Sequence, residues 1–128
     1  MANKAHKIFI SSTVEDLAPY RDAAESAIVK AKHVPLRNEH WAASSAKPPY
    51  KACMQEVDEA DALVVIVAHR YGWVPPDQPG KKGYSITRLE CLQALKANKP
   101  VFAFVIDEDH PWPPKHIERE PEAIQKLV

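Results

Sequence analysis

The sequence predicts an α/β protein built on a doubly wound parallel sheet. Two apolar runs, Ala62 to Ala68 and Val101 to Ile106, lack polar alternation, which is typical of parallel strands covered on both faces. Strand-like runs alternate with segments of helical periodicity in the order β-α-β-α-β-α-β-α. A chain of 128 residues buries roughly two thirds of its unfolded surface, which is enough for one core. One domain, residues 1–128, is therefore expected.

The N-terminal elements are a strand, a helix and a second strand. Lys7 to Ser11 is a short apolar strand, and a helix is expected from about Leu17 to Lys32. With Asp16 as the N-cap, Pro19 falls in the first turn, where proline is tolerated. His33 to Asn38 follows as a more polar strand, and the proline within it favours an edge position.

The middle of the chain predicts a second helix and a central strand. Pro49 is expected to begin the helix. Its apolar positions share one face and are Tyr50, Cys53, Met54 and Val57. The β-branched run from Ala62 to Ala68 then forms a central parallel strand.

The last third of the chain predicts a helix, a buried strand and a further helix. After a loop from His69 to Gly83, the third helix runs from Ser85 to about Ala97. Its candidates for the core are Leu89, Leu92 and Leu95. Val101 to Ile106 is expected to be a second fully buried strand, and a last helix begins near Pro121.

These elements predict a flavodoxin-like sheet. Four strands joined by helical crossovers imply the order 2-1-3-4. Because such sheets usually have five strands and the chain ends within the predicted fourth helix, we expect residues 1–128 to be a fragment that lacks the final strand.

Composition excludes several classes of protein and site. Seventeen basic and seventeen acidic residues leave no net charge for general nucleic-acid or membrane-surface binding. The three glycines cannot form a G-x-G-x-x-G turn or a Walker A loop. Two cysteines, no signal peptide and no long apolar stretch indicate a cytoplasmic protein. The histidines show no spacing typical of a metal site.

Candidate ligand-binding residues lie where the predicted strands end, because open α/β sheets bind ligands at their carboxyl edge. Hydroxyls and helix amides there suit a phosphate or ribose, and a cation beside aromatic rings suits a phosphate and a base. Helix capping, packing of loop aromatics and solvation of a loop acid remain alternatives. The candidates are Ser11 and Ser12 after the first strand, Glu39 and Trp41 after the second, Arg70, Tyr71 and Trp73 after the third, and Ser85 at the third helix.

Glu90 is the main candidate for chemistry. It lies one turn into the third helix, beside apolar Leu89 and Cys91. A carboxylate partly removed from water there can act as a nucleophile or stabilise a sugar oxocarbenium ion. Alternatively, Thr87 to Glu90 is a T-x-x-E capping box, in which Glu90 binds a backbone amide. Both interpretations stay open on residue chemistry alone.

The following stretches of the chain carry a family resemblance: Lys7 to Leu17, Tyr20 to Asp22, Glu39, Val57 to Asp61, Arg70 to Trp73 and Ser85 to Glu90. They resemble a TIR-like domain of unknown function that occurs at the N-terminus of NACHT- and STAND-type signalling ATPases. The resemblance implies an effector module of immune or anti-phage signalling, which self-associates and is followed by the ATPase region of its parent chain.

The resemblance also implies an activity. TIR domains that are enzymes cleave the nicotinamide-ribose bond of NAD, their substrate, with a glutamate that Glu90 matches, and Ser85 corresponds to the preceding serine. The Trp-Cys pair that many of them carry before this glutamate is missing here. Residues 89–109 are in addition similar to the segment of nucleoside deoxyribosyltransferases that carries the nucleophilic glutamate. We therefore expect hydrolysis of NAD or a related nucleotide on oligomerisation, with a non-catalytic self-association module or nucleoside base exchange as alternatives.

Overall fold

Strands and helices alternate along the part of the chain that the computed structural model describes, which is residues 4–13, 16–37, 50–69, 71–107 and 109–117. The strands are β1 Lys7–Ser11, β2 Val34–Leu36, β3 Ala62–Val67 and β4 Val101–Val105. The helices are α1 Ala18–Lys30, α2 Tyr50–Glu59 and α3 Ile86–Lys96, with short 3-10 turns at Pro79–Lys81 and Pro114–His116. The helix predicted from about Pro121 lies outside the described residues.

All strand pairs in the sheet are parallel, and the order is β2-β1-β3-β4. Ile8 of β1 is in register with Pro35 of β2 on one side and with Ala62 of β3 on the other. Leu63 of β3 is in register with Val101 of β4. The predicted flavodoxin-like order and the edge position of β2 are therefore confirmed.

Helices lie on both faces of the sheet, and since successive strand residues point to opposite faces, each face has its own core. The core under α2 and α3 consists of Phe9, Val57, Ala60, Leu63, Val65 and Ala94. The core under α1 consists of Ile10, Leu17, Ile28 and Ile66. This arrangement is the predicted doubly wound one.

The first helix begins differently from the prediction. Its N-cap is Leu17, without a side-chain cap, so the assignment of Asp16 as the N-cap is wrong. The Asp16 carboxylate instead accepts a hydrogen bond from the Thr13 hydroxyl, which engages it with the turn that precedes the helix. Pro19 lies in the first turn as predicted.

The orientation of α3 overturns the predicted core positions. Leu92 and Leu95 are 43% and 55% exposed, and Leu89 is half-buried. The helix turns Glu90 and Ala94 inward instead. Ala94 fits closely against the core of α2 and β3, and the polar partners of Glu90, described below, make its burial possible.

The prediction that the fourth strand is fully buried is wrong. β4 forms an edge of the sheet, and its Phe102 and Phe104 are 54% and 59% exposed. An apolar run reports the tendency of a strand to be buried, but the topology decides whether another element lies beside it. In the described residues β4 has a neighbouring strand on one side only.

No helix among the described residues is long and apolar enough to cross a membrane.

Candidate functional site

The carboxyl end of β1 lies where the strand order reverses, the usual ligand-binding position of open α/β sheets. β1 has β2 on one side and β3 on the other, and it ends at Ser11. Ser11 and the following Ser12 are both buried. The structure thus places the two predicted hydroxyls at the predicted edge, with their side chains turned away from solvent.

Glu90 meets Ser11 at this edge. The glutamate is 1% exposed, and the Ser11 hydroxyl donates a hydrogen bond of 2.8 Å to its Oε1. α3 supplies the glutamate and β1 supplies the serine, so the contact joins residues 79 positions apart. The structure therefore brings together two of the residues that sequence analysis singled out.

Burial raises the pKa of Glu90 from 4.5 to about 8. The Ser11 hydrogen bond and the positive charge of Arg21 lower this pKa, whereas the negative charge of Glu56 raises it. Loss of hydration is the largest of these effects because a low-dielectric interior disfavours the ionised form. Near neutral pH, Glu90 therefore carries a proton in most molecules and can supply or release it close to the pH of the cell.

The capping-box interpretation of Glu90 is not supported. Ser85 is the N-cap of α3, and its hydroxyl accepts a hydrogen bond of 3.2 Å from the amide of Arg88. Within the described part of the chain, the buried Thr87 hydroxyl has no hydrogen-bond partner. A T-x-x-E box would require that hydroxyl to accept from the Glu90 amide, so the box is not formed.

Arg21 is a buried residue of the site that sequence analysis missed. Its side chain is 0% exposed, and Nη1 donates to the Ser12 hydroxyl at 2.7 Å and to the Ser12 carbonyl at 3.3 Å. A signal was present, because Arg21 lies four residues after Leu17 and seven before Ile28, on the apolar face of α1. A cation on such a face indicates a buried polar partner.

Hydrogen bonds of Tyr71 and Ser85 stabilise the loop that follows β3. The Tyr71 hydroxyl accepts from the Ser85 amide at 2.9 Å and donates to the Gly83 carbonyl at 3.1 Å. Both residues are buried. Their roles as substrate contacts stay predictions, and in this structure their hydroxyls hold the loop and the start of α3.

The same loop also touches the turn after β1. Gly72 has a φ of +91°, and a Cβ there would lie 2.8 Å from Cγ2 of Thr13. Only glycine fits this approach of the two loops. The Trp73 carbonyl accepts a hydrogen bond of 2.8 Å from the amide of Ile86 at the start of α3, and the stacking of Trp73 on a base stays a prediction. Glu39, Trp41 and Arg70 lie outside the described residues.

An aromatic cluster around Trp112 was also missed. The Trp112 ring lies 5.6 Å from Tyr20 and 5.5 Å from His69, measured between ring centroids. Trp112 follows β4 and packs against the core under α1. Nothing in the local sequence between the fourth strand and the last predicted helix indicates that this tryptophan folds back onto α1.

The two thiols are unsuited to nucleophilic chemistry at neutral pH. Burial, followed by the negative charge of Glu90, raises the pKa of Cys53 to about 12. Burial also raises the pKa of Cys91. Since the thiolate is the reactive form, both cysteines serve packing. No group of three or more His, Cys, Asp or Glu side chains within the described ranges is arranged to hold a metal ion.

Comparison with known proteins identifies the family. No curated protein matches the sequence. Residues 7–128, nearly the whole chain, match the family described as a domain of unknown function, DUF4062. The protein therefore belongs to the DUF4062 family.

Proposed function

We propose that this domain hydrolyses the N-glycosidic bond of NAD or a related nucleotide, with Glu90 as the catalytic carboxyl. The observation that carries the proposal is the burial of Glu90 against Ser11 at the carboxyl edge beside β1. A buried ionisable group with a strongly raised pKa is common at catalytic sites and costly elsewhere. The resemblance to TIR-like domains supports NAD as the substrate.

The proposed reaction separates ribose from nicotinamide. The bond between ribose C1′ and the pyridine nitrogen breaks, and its electron pair leaves with nicotinamide, which becomes neutral. The Glu90 carboxylate stabilises the ribosyl cation, water adds to C1′, and a proton passes to solvent. The positive pyridinium ring of bound NAD favours the ionised form of Glu90, so the substrate itself generates the carboxylate.

The remaining predicted contacts belong to this proposal. They are phosphate or ribose binding by Ser11, Ser12 and Arg70, substrate binding by Ser85, base stacking by Tyr71 and Trp73, and closure of the site by Glu39 and Trp41. Because Glu90 is 1% exposed, the reaction requires the edge of the sheet to open. We propose that oligomerisation opens it, in the cytoplasm and within a longer signalling ATPase of the NACHT or STAND type.

Nicotinamide release tests the proposal. The protein is clustered on a multivalent scaffold and incubated with NAD, as wild type and as the variants Glu90→Ala and Glu90→Gln. Glu59→Ala is the matched control, because Glu59 is an exposed acid on α2. We expect release from the wild type and the control and roughly a 100-fold loss or more in both Glu90 variants. Equal release from all four proteins would refute the role of Glu90.

Nucleosides separate the proposed hydrolysis from base exchange. Incubation with a deoxynucleoside and a second free base should yield no exchanged nucleoside if the domain is an NAD hydrolase. Exchange in preference to NAD cleavage would instead favour the nucleoside deoxyribosyltransferase-like alternative.

A second candidate function is a non-catalytic module that signals by self-association. The exposed apolar edge strand β4 favours it: Phe102, Phe104 and Val105 are 54%, 59% and 73% exposed. An uncovered edge strand of this kind offers both hydrogen-bonding groups and apolar side chains to another strand. The occupant that fits this function is β4 of a second copy, paired antiparallel about a two-fold axis, in the place beside β4 that the expected final strand would otherwise occupy.

Sedimentation velocity tests this second function. The double variant Phe102→Ser/Phe104→Ser should shift the protein to monomer, whereas Leu95→Ser, an equally exposed residue on α3, should leave association unchanged. Association that survives the double variant contradicts the β4 interface. Association without nicotinamide release at any degree of clustering would favour this function over hydrolysis.

A further inference from the structure

Arg21 is an unusual residue to find inside a small domain. An arginine side chain carries a positive guanidinium, yet that of Arg21 is 0% exposed. Burying a charge is costly unless polar partners replace its water. The position of Arg21 on the inner face of α1 therefore calls for an explanation in terms of what the guanidinium holds.

The guanidinium holds the turn that follows β1. Nη1 donates to both the hydroxyl and the carbonyl of Ser12. The Ser12 hydroxyl donates in turn to the Thr13 carbonyl at 2.7 Å. Because its proton is used in that bond, its oxygen is the acceptor in the hydrogen bond with Arg21. Two hydrogen bonds from one nitrogen thus fix both the side chain and the backbone of Ser12.

Ser12 is the chain neighbour of Ser11, whose hydroxyl binds Glu90. The Ser11 hydroxyl donates to Glu90 Oε1 at 2.8 Å. The direction of this hydroxyl depends on the backbone of the next residue, Ser12, which Arg21 holds. The buried series Arg21, Ser12, Ser11 and Glu90 therefore runs from α1, across the end of β1, to α3. Helices on opposite faces of the sheet are connected through it.

We propose that Arg21 is a positioning residue, which holds the Ser11–Ser12 turn so that the Ser11 hydroxyl is directed at the Glu90 carboxyl. The position of α1 is thereby coupled to the state of Glu90 on α3. The catalytic meaning of this coupling rests on the proposed function, but the coupling itself does not. A rearrangement of α1 on oligomerisation would reach Glu90 by this route.

The charges around Glu90 define the sign of the expected effects. Arg21 of α1 and the Ser11 hydroxyl of β1 lower its pKa, and Glu56 of α2 raises it. Cys53, also on α2, is uncharged at neutral pH because its own pKa is raised to about 12. Removing the positive charge of Arg21 or weakening the Ser11 hydrogen bond must therefore raise the pKa of Glu90 further.

Titration of the Glu90 carboxyl in the substrate-free protein tests the proposal. The side-chain carboxyl carbon is followed by NMR against pH, and its signal is assigned by its loss in Glu90→Gln. In Arg21→Met the midpoint should move to higher pH, and Arg21→Lys, which keeps the charge, should recover part of this shift. Lys30→Met, which removes an exposed cation from the same helix, should leave the midpoint unchanged.

Ser12→Ala isolates positioning from charge. It keeps Arg21 and its hydrogen bond to the Ser12 carbonyl but removes the hydrogen bond to the Ser12 hydroxyl. It also changes the volume of the core by less than Arg21→Met does. We expect its midpoint to move upward by less than in Ser11→Ala, which removes the hydrogen bond between Ser11 and Glu90. A folded Ser12→Ala protein with the wild-type midpoint would overturn the proposal, whether or not Arg21→Met folds.

The titration and the activity assay can fail independently. A purely structural Arg21 would lower stability in Arg21→Met and leave the Glu90 midpoint in place, which contradicts the coupling even if NAD is cleaved. If the midpoint moves but no variant or wild type releases nicotinamide, the coupling stands and the proposed hydrolysis fails. If the midpoint moves and nicotinamide is released, the pH profile of kcat should move together with the Glu90 midpoint.

Discussion

Replacing Glu90 by glutamine should remove a pH-dependent loss of stability. Burial raises the pKa of Glu90 from 4.5 to about 8, so between these two pH values the folded protein holds a proton that the unfolded chain has released. Stability contributed by this group is complete below about pH 4.5 and falls as pH rises toward 8. The glutamine amide introduced by the variant is neutral at every pH, and its oxygen can still accept from Ser11.

The magnitude follows from the width of that interval. Each pH unit costs about 1.4 kcal/mol of unfolding free energy, so the interval from 4.5 to about 8 corresponds to roughly 4 to 5 kcal/mol. This is a large share of the stability of a domain of this size, which is of order 5 to 15 kcal/mol. At about pH 5 we expect the wild type and Glu90→Gln to differ little, and at about pH 8 we expect the variant to be more stable.

Urea unfolding at half-unit steps from about pH 5 to about pH 9 measures the difference. Glu59→Gln, an exposed acid on α2, controls for the loss of one negative charge. The free-energy difference between Glu90→Gln and wild type should rise by about 1.4 kcal/mol per pH unit and level off near pH 8, while the control stays flat. A difference that does not change with pH would mean that Glu90 is already ionised in the folded state, and the reasoning would be refuted.

Two further predictions concern packing. Gly72→Ala combines a φ of +91° with a contact of 2.8 Å to Thr13, so we expect a loss of about 2 to 4 kcal/mol in urea unfolding. Gly80→Ala, with a φ of +77° but its nearest neighbour 3.6 Å away, should cost only about 1 kcal/mol, and equal losses would argue against the close contact. Ala94→Leu should cost about 1 to 3 kcal/mol by overpacking, whereas Leu95→Ala should change stability by less than about 0.5 kcal/mol. The reverse ranking would contradict the orientation of α3.

The strand order could be predicted because it depends on the rhythm of the chain. Four strand-like runs separated by helical segments leave few topologies once crossovers must be right-handed. The burial of β3 followed from its β-branched composition. The same reasoning failed for β4, because composition does not tell whether a strand lies inside the sheet or at its edge.

The candidate site could be predicted only in part. Ser11 and Glu90 were found because both lie near the carboxyl ends of strands, where open sheets bind ligands. Arg21 was missed because arginine side chains are usually exposed to solvent, whereas its position on the apolar face of α1 indicates burial. The leucines of α3 misled for the opposite reason: their residue type argues for the core, yet Leu92 and Leu95 lie on the exposed side of the helix.

By itself the sequence determined the alternation of strands and helices and the parallel order of the sheet, and it predicted the edge at which the candidate site lies. Only the tertiary structure decided which side chains of α1 and α3 face inward. The physical reason is that periodicity reports the average gain from burying apolar groups along a helix, whereas burial of Glu90 depends on a particular donor, the hydroxyl of Ser11, 79 residues earlier in the chain. Such a partnership exists only after the strand and the helix have been brought together.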